Sequence, residues 1–221
     1  NGREDCNMKR LSDITHILRT YANISLRKRL FIVVRYLVCP WESILDHVDR
    51  PESILDIGCG HGLFLHLVKR KFPQSRCVGF DHDKRKVDAA TQSARKEDLL
   101  FLMDGETDRL EPASFDYVTI IDVLSIASVE KWPEILSLAE KYLKPNGTII
   151  VKETVSRPRW KYYICTFQEI MATRVLKYTK GHPPQLESVE FYRDKIVESN
   201  LSVKEHRRVD FGYPWPHYLF V

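Results

Sequence analysis

Ser53-Ile54-Leu55-Asp56-Ile57 runs directly into Gly58-Cys59-Gly60-His61-Gly62, and then into Leu63 to Lys71. No other stretch narrows the fold as much. The apolar run reads as a short buried strand. The residues after the glycines have helix length and end in Lys69, Arg70 and Lys71, the charge that a helix C-terminus favours. The unit is therefore a strand, a glycine-rich turn and a helix. It leaves unpaired backbone N–H groups at the mouth of a parallel sheet. Without Cβ atoms in the way, a nucleotide-like ligand can approach the main chain there.

The glycine spacing separates several readings. A dinucleotide turn has the pattern G-x-G-x-x-G, but here the third position is Leu63 and the glycines are Gly58, Gly60 and Gly62. Asp56 stands two residues before the first of them. An acidic residue followed by G-x-G-x-G resembles motif I of the class I S-adenosylmethionine-dependent methyltransferases. The alternatives are a tight turn with no ligand and a dinucleotide oxidoreductase. Further along, Leu143-Lys144-Pro145-Asn146-Gly147 precedes an apolar strand and resembles the L-x-P-G-G turn of the same family. The resemblance covers roughly residues 53–221, and is to the ubiquinone-biosynthesis-like small-molecule group. It implies an α/β fold: a Rossmann-like doubly wound seven-stranded sheet with an antiparallel last strand, preceded by N-terminal helices and interrupted by a helical lid insertion. The cofactor implied is S-adenosyl-L-methionine.

At 221 residues the chain suits one α/β domain with a large core. Within it we expect an N-terminal helical extension over 1–50, a cofactor-binding core over 53–152, a lid over 153–184 and a C-terminal helix and strand hairpin over 185–221. A net charge of +4 is too weak to imply nucleic acid without a localised patch. The cysteines, Cys6, Cys39, Cys59, Cys77 and Cys165, are odd in number and lack metal-type spacing. They fit reduced thiols and a cytoplasmic location. No secretory signal is visible and no metal site is expected. The most apolar run, Leu30 to Val38, is interrupted by Arg35 and is too short to span a bilayer.

In chain order, helices are expected over 8–20, 26–38 and 41–48, with Ser25 capping the second. Arg27-Lys28-Arg29 beside Phe31 and Ile32 allows peripheral contact with an acidic membrane surface, or forms a plain solvated face. Strands follow over 76–81, 99–103, 115–121 and 148–152, with helices over 84–96 and 132–143, the first capped by Asp83. A helix over 186–200, a strand over 201–209 and a last strand from His217 complete the chain.

Asp81 ends the second strand about twenty residues after the glycines, where a carboxylate can accept from both ribose hydroxyls. His82 lines the same edge or is a surface histidine. The resemblance places Asp104 and Gly105 at the adenine amino group and Asp122 at the methionine end of the cofactor. Asp104-Gly105 also reads as a simple turn. A hydroxyl acceptor must lose a proton, so a general base is expected. Glu153 is the first candidate, although Lys152-Glu153 also reads as a structural ion pair; His182 and His217 are weaker candidates.

Between Glu153 and Pro184 cations alternate with aromatics. There Trp160 and Tyr163, with Tyr162, would shape an acceptor pocket or pack the lid. The mixture points to a small-molecule or lipid-like acceptor, apolar with an anionic portion; O-methylation is expected on a separate ground, a tetrapeptide missing after the 115–121 strand. An RNA or protein substrate on the basic lid is the alternative. Asp122-Val123-Leu124-Ser125 lacks the N-P-P-Y-type tetrapeptide of amino-methylating nucleic-acid enzymes, which makes nucleic acid the less favoured partner.

Overall fold

In the computed structural model the described residues are 2–94, 98–158, 160–161 and 185–221. Three helices come first, α1 (Gly2–Thr20), α2 (Leu26–Val38) and α3 (Trp41–Leu45). Strand β1 (Ser53–Ile57) leads through the glycines to α4 (Leu63–Lys71), and β2 (Arg76–Asp81) leads to α5 (Lys84–Ser93). Then come β3 (Leu99–Met103), β4 (Phe115–Ile121), α6 (Trp132–Tyr142), β5 (Leu143–Thr154), α7 (Val189–Glu198), β6 (His206–Arg208) and β7 (His217–Phe220).

One seven-stranded sheet has the order β3-β2-β1-β4-β5-β7-β6. β1 pairs in parallel with both β2 and β4, so Leu55 faces Val78 on one side and Val118 on the other. β7 is antiparallel to β5 and to β6. The order reverses at β1/β4, and in open α/β sheets ligands bind beyond the carboxyl ends of the strands at such a switch point. The seven-stranded sheet with its antiparallel last strand is the one the sequence resemblance implied.

All five residues of β1 are buried, because both faces of the sheet are covered, as parallel sheets require. Ile54, Ile150 and Leu219 pack towards α1–α5, with Ile17, Tyr21, Ile32, Phe64 and Val87. Leu55, Ile57, Val118, Val151 and Phe220 pack the other way, with Trp132, Leu136, Tyr192 and Ile196 of α6 and α7.

Several boundaries and one cap differ from expectation. Residues 144–147 do not precede β5 but bulge within it, since Leu143 already pairs with Phe115 and Thr148 with Tyr117. Asn146 takes a left-handed φ of 65° there, and Lys144 Nζ lies 2.7 Å from Asp116 Oδ1. β6 is only three residues, all exposed. Ser25 precedes α2 without a side-chain cap bond, whereas Asp83 does cap α5, accepting from the Arg85 N–H at 3.0 Å.

Most of the expected lid, including Tyr163, Tyr162 and His182, lies outside the described residues. Trp160 is within them and is 60% exposed. Its neighbour Lys161 is buried, its ammonium 2.5 Å from Asp210 Oδ2. In the basic cluster of α2, Lys28 donates to the Arg85 carbonyl and Arg29 to the Ala22 carbonyl, while Arg27 is exposed. Among the described residues no helix is long and apolar enough to cross a membrane. Nor do any of them form a group of three His, Cys, Asp or Glu side chains able to hold a metal.

Candidate cofactor and active site

Gly58, Gly60 and Gly62 all have left-handed φ values, of 71°, 56° and 79°. Side chains rarely tolerate this region. Two of the three are also crowded. A Cβ on Gly58 would fall 2.5 Å from Val123 Cγ2, and one on Gly62 would fall 2.4 Å from the Phe101 ring. Gly60 differs, because a Cβ there would meet nothing within 4 Å. The turn is thus clamped at both ends and open in its middle, which fits a ligand laid against the main chain, although the N–H groups of Gly58, Cys59, Gly60 and Gly62 are paired within the protein and not unpaired as expected.

Asp81 is 4% exposed and ties the turn to the neighbouring strand. One carboxylate oxygen accepts from the Gly60 N–H at 2.9 Å, the other from the Asp83 N–H at 2.8 Å. Each carboxylate oxygen has two acceptor sites, so these bonds fix Asp81 without exhausting it. His82 is exposed, 3.5 Å from Asp81 Oδ1. Asp104 and Gly105 are exposed and open a 3-10 turn over Asp104–Arg109.

Asp56 lies below the turn, 3% exposed, and accepts from Thr119 Oγ1 at 2.7 Å. Burial pushes its carboxyl up to about 7, helped by the nearby Asp81 charge. The His61 ring is held neutral down to about 4, by burial first and then by Lys86 and Lys28. Cys59 is buried beside Gly79, where a Cβ would fall 2.7 Å from its own Cβ.

At the tip of β4, Asp122 takes a left-handed φ of 53°. Its carboxylate does not stand open. Lys152 Nζ contacts both oxygens at 2.6 and 2.7 Å, Arg35 Nη2 reaches Oδ2 at 2.5 Å and Thr154 Oγ1 donates to Oδ1 at 3.2 Å. Burial alone would raise this carboxyl; Lys152 and then Arg35 outweigh it and hold the group far below the usual range. Sequence reasoning missed Arg35, Lys152 and Thr119 as site residues. The one available signal was a lone cation inside an apolar run: Arg35 among Val33-Val34 and Tyr36-Leu37, Lys152 after Ile149-Ile150-Val151.

Glu153 points to the opposite face from Lys152, as successive strand residues must. The expected Lys152–Glu153 pair is replaced by Lys152–Asp122. Glu153 is fully buried, and its oxygens accept from the N–H groups of Val123, Leu124 and Ser125 at 2.9, 2.8 and 3.3 Å. Burial raises its carboxyl, and Asp122 adds repulsion. With three of its four acceptor sites turned to the 123–125 backbone, Glu153 holds that turn in place. His217 bonds the Val38 carbonyl through Nε2 at 2.7 Å and is kept neutral by burial and by Lys152, with Nδ1 buried and unpartnered.

Comparison with known proteins matches residues 55–149 to a family described as a methyltransferase domain. The chain is 26% identical over 112 residues to a malonyl-[acyl-carrier protein] O-methyltransferase of Halalkalibacterium halodurans, covering 49% of this chain and 41% of that protein. It is 24% identical over 175 residues to a trans-aconitate 2-methyltransferase of Yersinia pestis, covering 70% and 65%. The chain thus spans less than two thirds of either relative. Human N-acetylserotonin methyltransferase, solved in complex with S-adenosylmethionine, shares the fold with a TM-score of 0.63 at 19% identity, over 86% of this chain and 53% of that one. The glycine turn and the strand order agree with these matches: over residues 55–149 the chain resembles a methyltransferase domain, on a fold shared with a methyltransferase solved with S-adenosylmethionine.

Proposed function

We propose that the chain methylates a carboxylate oxygen of a small, largely apolar acid. When bound, S-adenosylmethionine supplies an electrophilic methyl group on a sulfonium. In this reading the main chain of Gly58, Gly60 and Gly62 lies against the nucleoside and Asp81 takes the ribose hydroxyls, with His82 at the same edge. Asp104 and Gly105 border the adenine, and Asp56 and Asp122 lie towards the methionine end. The open position above Gly60 and the fixed orientation of Asp81 support this arrangement.

The observation that carries the acceptor assignment is the pairing at the β4 tip. Two cations, Arg35 and Lys152, converge on one carboxylate there, while the two candidate bases among the described residues, Glu153 and His217, are each held by a backbone contact. Glu153 is occupied by three N–H groups, and His217 is bonded and held neutral well below its ordinary range. A hydroxyl or amine acceptor needs a base; a carboxylate is ionised already at neutral pH. Both relatives described above carry the name of an acid-bearing acceptor, malonyl-[acyl-carrier protein] and trans-aconitate. Exposed Trp160 would offer apolar contact to such an acid.

The test has two stages. Calorimetric titration should show S-adenosylhomocysteine binding and no NADH binding. Incubation with S-adenosylmethionine and a library of small carboxylic acids should then give a methyl ester, detected by mass and lost in mild alkali. A base-stable product, or methylation of RNA in place of the acids, would overturn the carboxylate assignment.

A further inference from the structure

We infer that Arg35 is the specificity-determining residue that seats the acceptor's carboxylate, taking it in exchange for Asp122, which Lys152 retains. This rests on the reading of the chain as an acid methyltransferase and adds the residue that recognises the acid.

The position of α2 provides the first argument. Phe31 and Arg35 are one turn apart and share a helix face. The Phe31 ring lies 5.7 Å from that of His61 in the glycine turn. Arg35 meets Asp122, the residue after β4. β1 and β4 are adjacent strands. One face of α2 therefore spans the tips of both, over the crevice where ligands of such sheets bind.

The second argument is the division of labour around Asp122. Lys152 touches both of its oxygens and Thr154 supports one of them, so the charge stays paired if Arg35 turns away. The Lys152 side chain is 0% exposed and cannot follow a ligand, whereas that of Arg35 is 25% exposed. Arg35 is also the better group for the task. Its planar fork matches a carboxylate through two parallel N–H bonds, which a point-charge ammonium cannot do. The guanidinium lies 5.7 Å over the buried Trp41 ring, a contact that holds its plane. Asp122 thereby holds the Arg35 fork at the β4 tip until an anion of matching shape replaces it. A neutral acceptor has no charge with which to compete.

The experiment is calorimetric titration of the full chain, saturated with S-adenosylhomocysteine, with succinate, glutarate, phenylacetate and octanoate and with their primary amides. At least one acid should bind and its amide should not. Arg35→Gln should weaken that acid by about tenfold or more, a larger factor than any accompanying change in S-adenosylhomocysteine affinity. Arg35→Lys, which preserves the charge and guards against a folding defect, should recover part of the loss. Equal acid affinity in wild type and Arg35→Gln, or binding of none of the acids by a protein that binds S-adenosylhomocysteine, would sink the inference. Failure of wild type to bind S-adenosylhomocysteine would instead remove the methyltransferase reading on which it stands.

Discussion

Three glycines share a sign of φ yet differ in what they tolerate. Gly62→Ala must accept left-handed strain and also push against Phe101 at 2.4 Å and Ala90 at 3.3 Å. Strain costs about 1–2 kcal/mol and overpacking about 1–3 kcal/mol, so urea titration should show a loss of roughly 2–5 kcal/mol. Gly60→Ala meets open space and should lose about 1–2 kcal/mol from strain alone. Its greater effect should fall on S-adenosylhomocysteine affinity, because the new methyl group enters the space proposed for the nucleoside. Equal stability losses in the two variants would contradict the crowding at Gly62. The glycines were legible in the sequence because their backbone demand is local. The network around Asp122 was not, because Arg35 and Lys152 stand 87 and 30 residues from their partner, and nothing local to Asp122 announces them.

Elements built from local pattern were read closely, and elements that depend on their neighbours were not. Residues 26–38, 63–71, 76–81, 99–103 and 115–121 have the expected bounds, since buried parallel strands read as unbroken apolar runs between punctuating turns. Pro145 and Gly147 looked like a turn before β5, yet Phe115 already pairs with Leu143, so the strand begins earlier and bulges. β6 carries no apolar pattern to read, because His206, Arg207 and Arg208 are all exposed and β7 alone recruits them. The bulge makes its own prediction. A Cβ on Gly147 would fall 2.9 Å from the Asp116 carbonyl oxygen and 2.8 Å from the Leu143 side chain. Gly147→Ala should therefore destabilise by about 1–3 kcal/mol, whereas Asn146→Gly, which relieves a φ of 65°, should be neutral or stabilising by up to about 1 kcal/mol. Thermal unfolding of the two variants would decide it; a stable Gly147→Ala would mean that the 144–147 loop does not sit against Asp116.

Across the whole molecule, buried titratable groups oppose one another in a way that fixes how stability depends on pH. Asp56 is raised by burial from 3.8 to about 7, and Glu153 is raised as well. Between the ordinary carboxyl range and neutrality the folded state therefore holds protons that the unfolded chain has released, and stability falls as pH rises. His61 and His217 act in the opposite direction. Burial lowers His61 from 6.5 to about 4 and His217 well below 6.5. Over that interval the unfolded chain binds protons that the fold refuses, so stability rises with pH. Two groups of each kind nearly cancel between about pH 4.5 and 6.5, and wild type should show a plateau there. Below it, stability should drop as the depressed Asp122 loses its pairing with Lys152 and Arg35. Asp56→Asn keeps the side-chain oxygen that Thr119 contacts but removes one of the descending contributions. Its stability should climb with pH by about 1.4 kcal/mol per unit across the former plateau. Denaturant titrations of wild type and variant at half-unit steps would show the plateau turning into a slope. If the variant profile ran parallel to wild type, Asp56 would have to titrate as an ordinary carboxyl, and its burial beneath the glycine turn would be wrong.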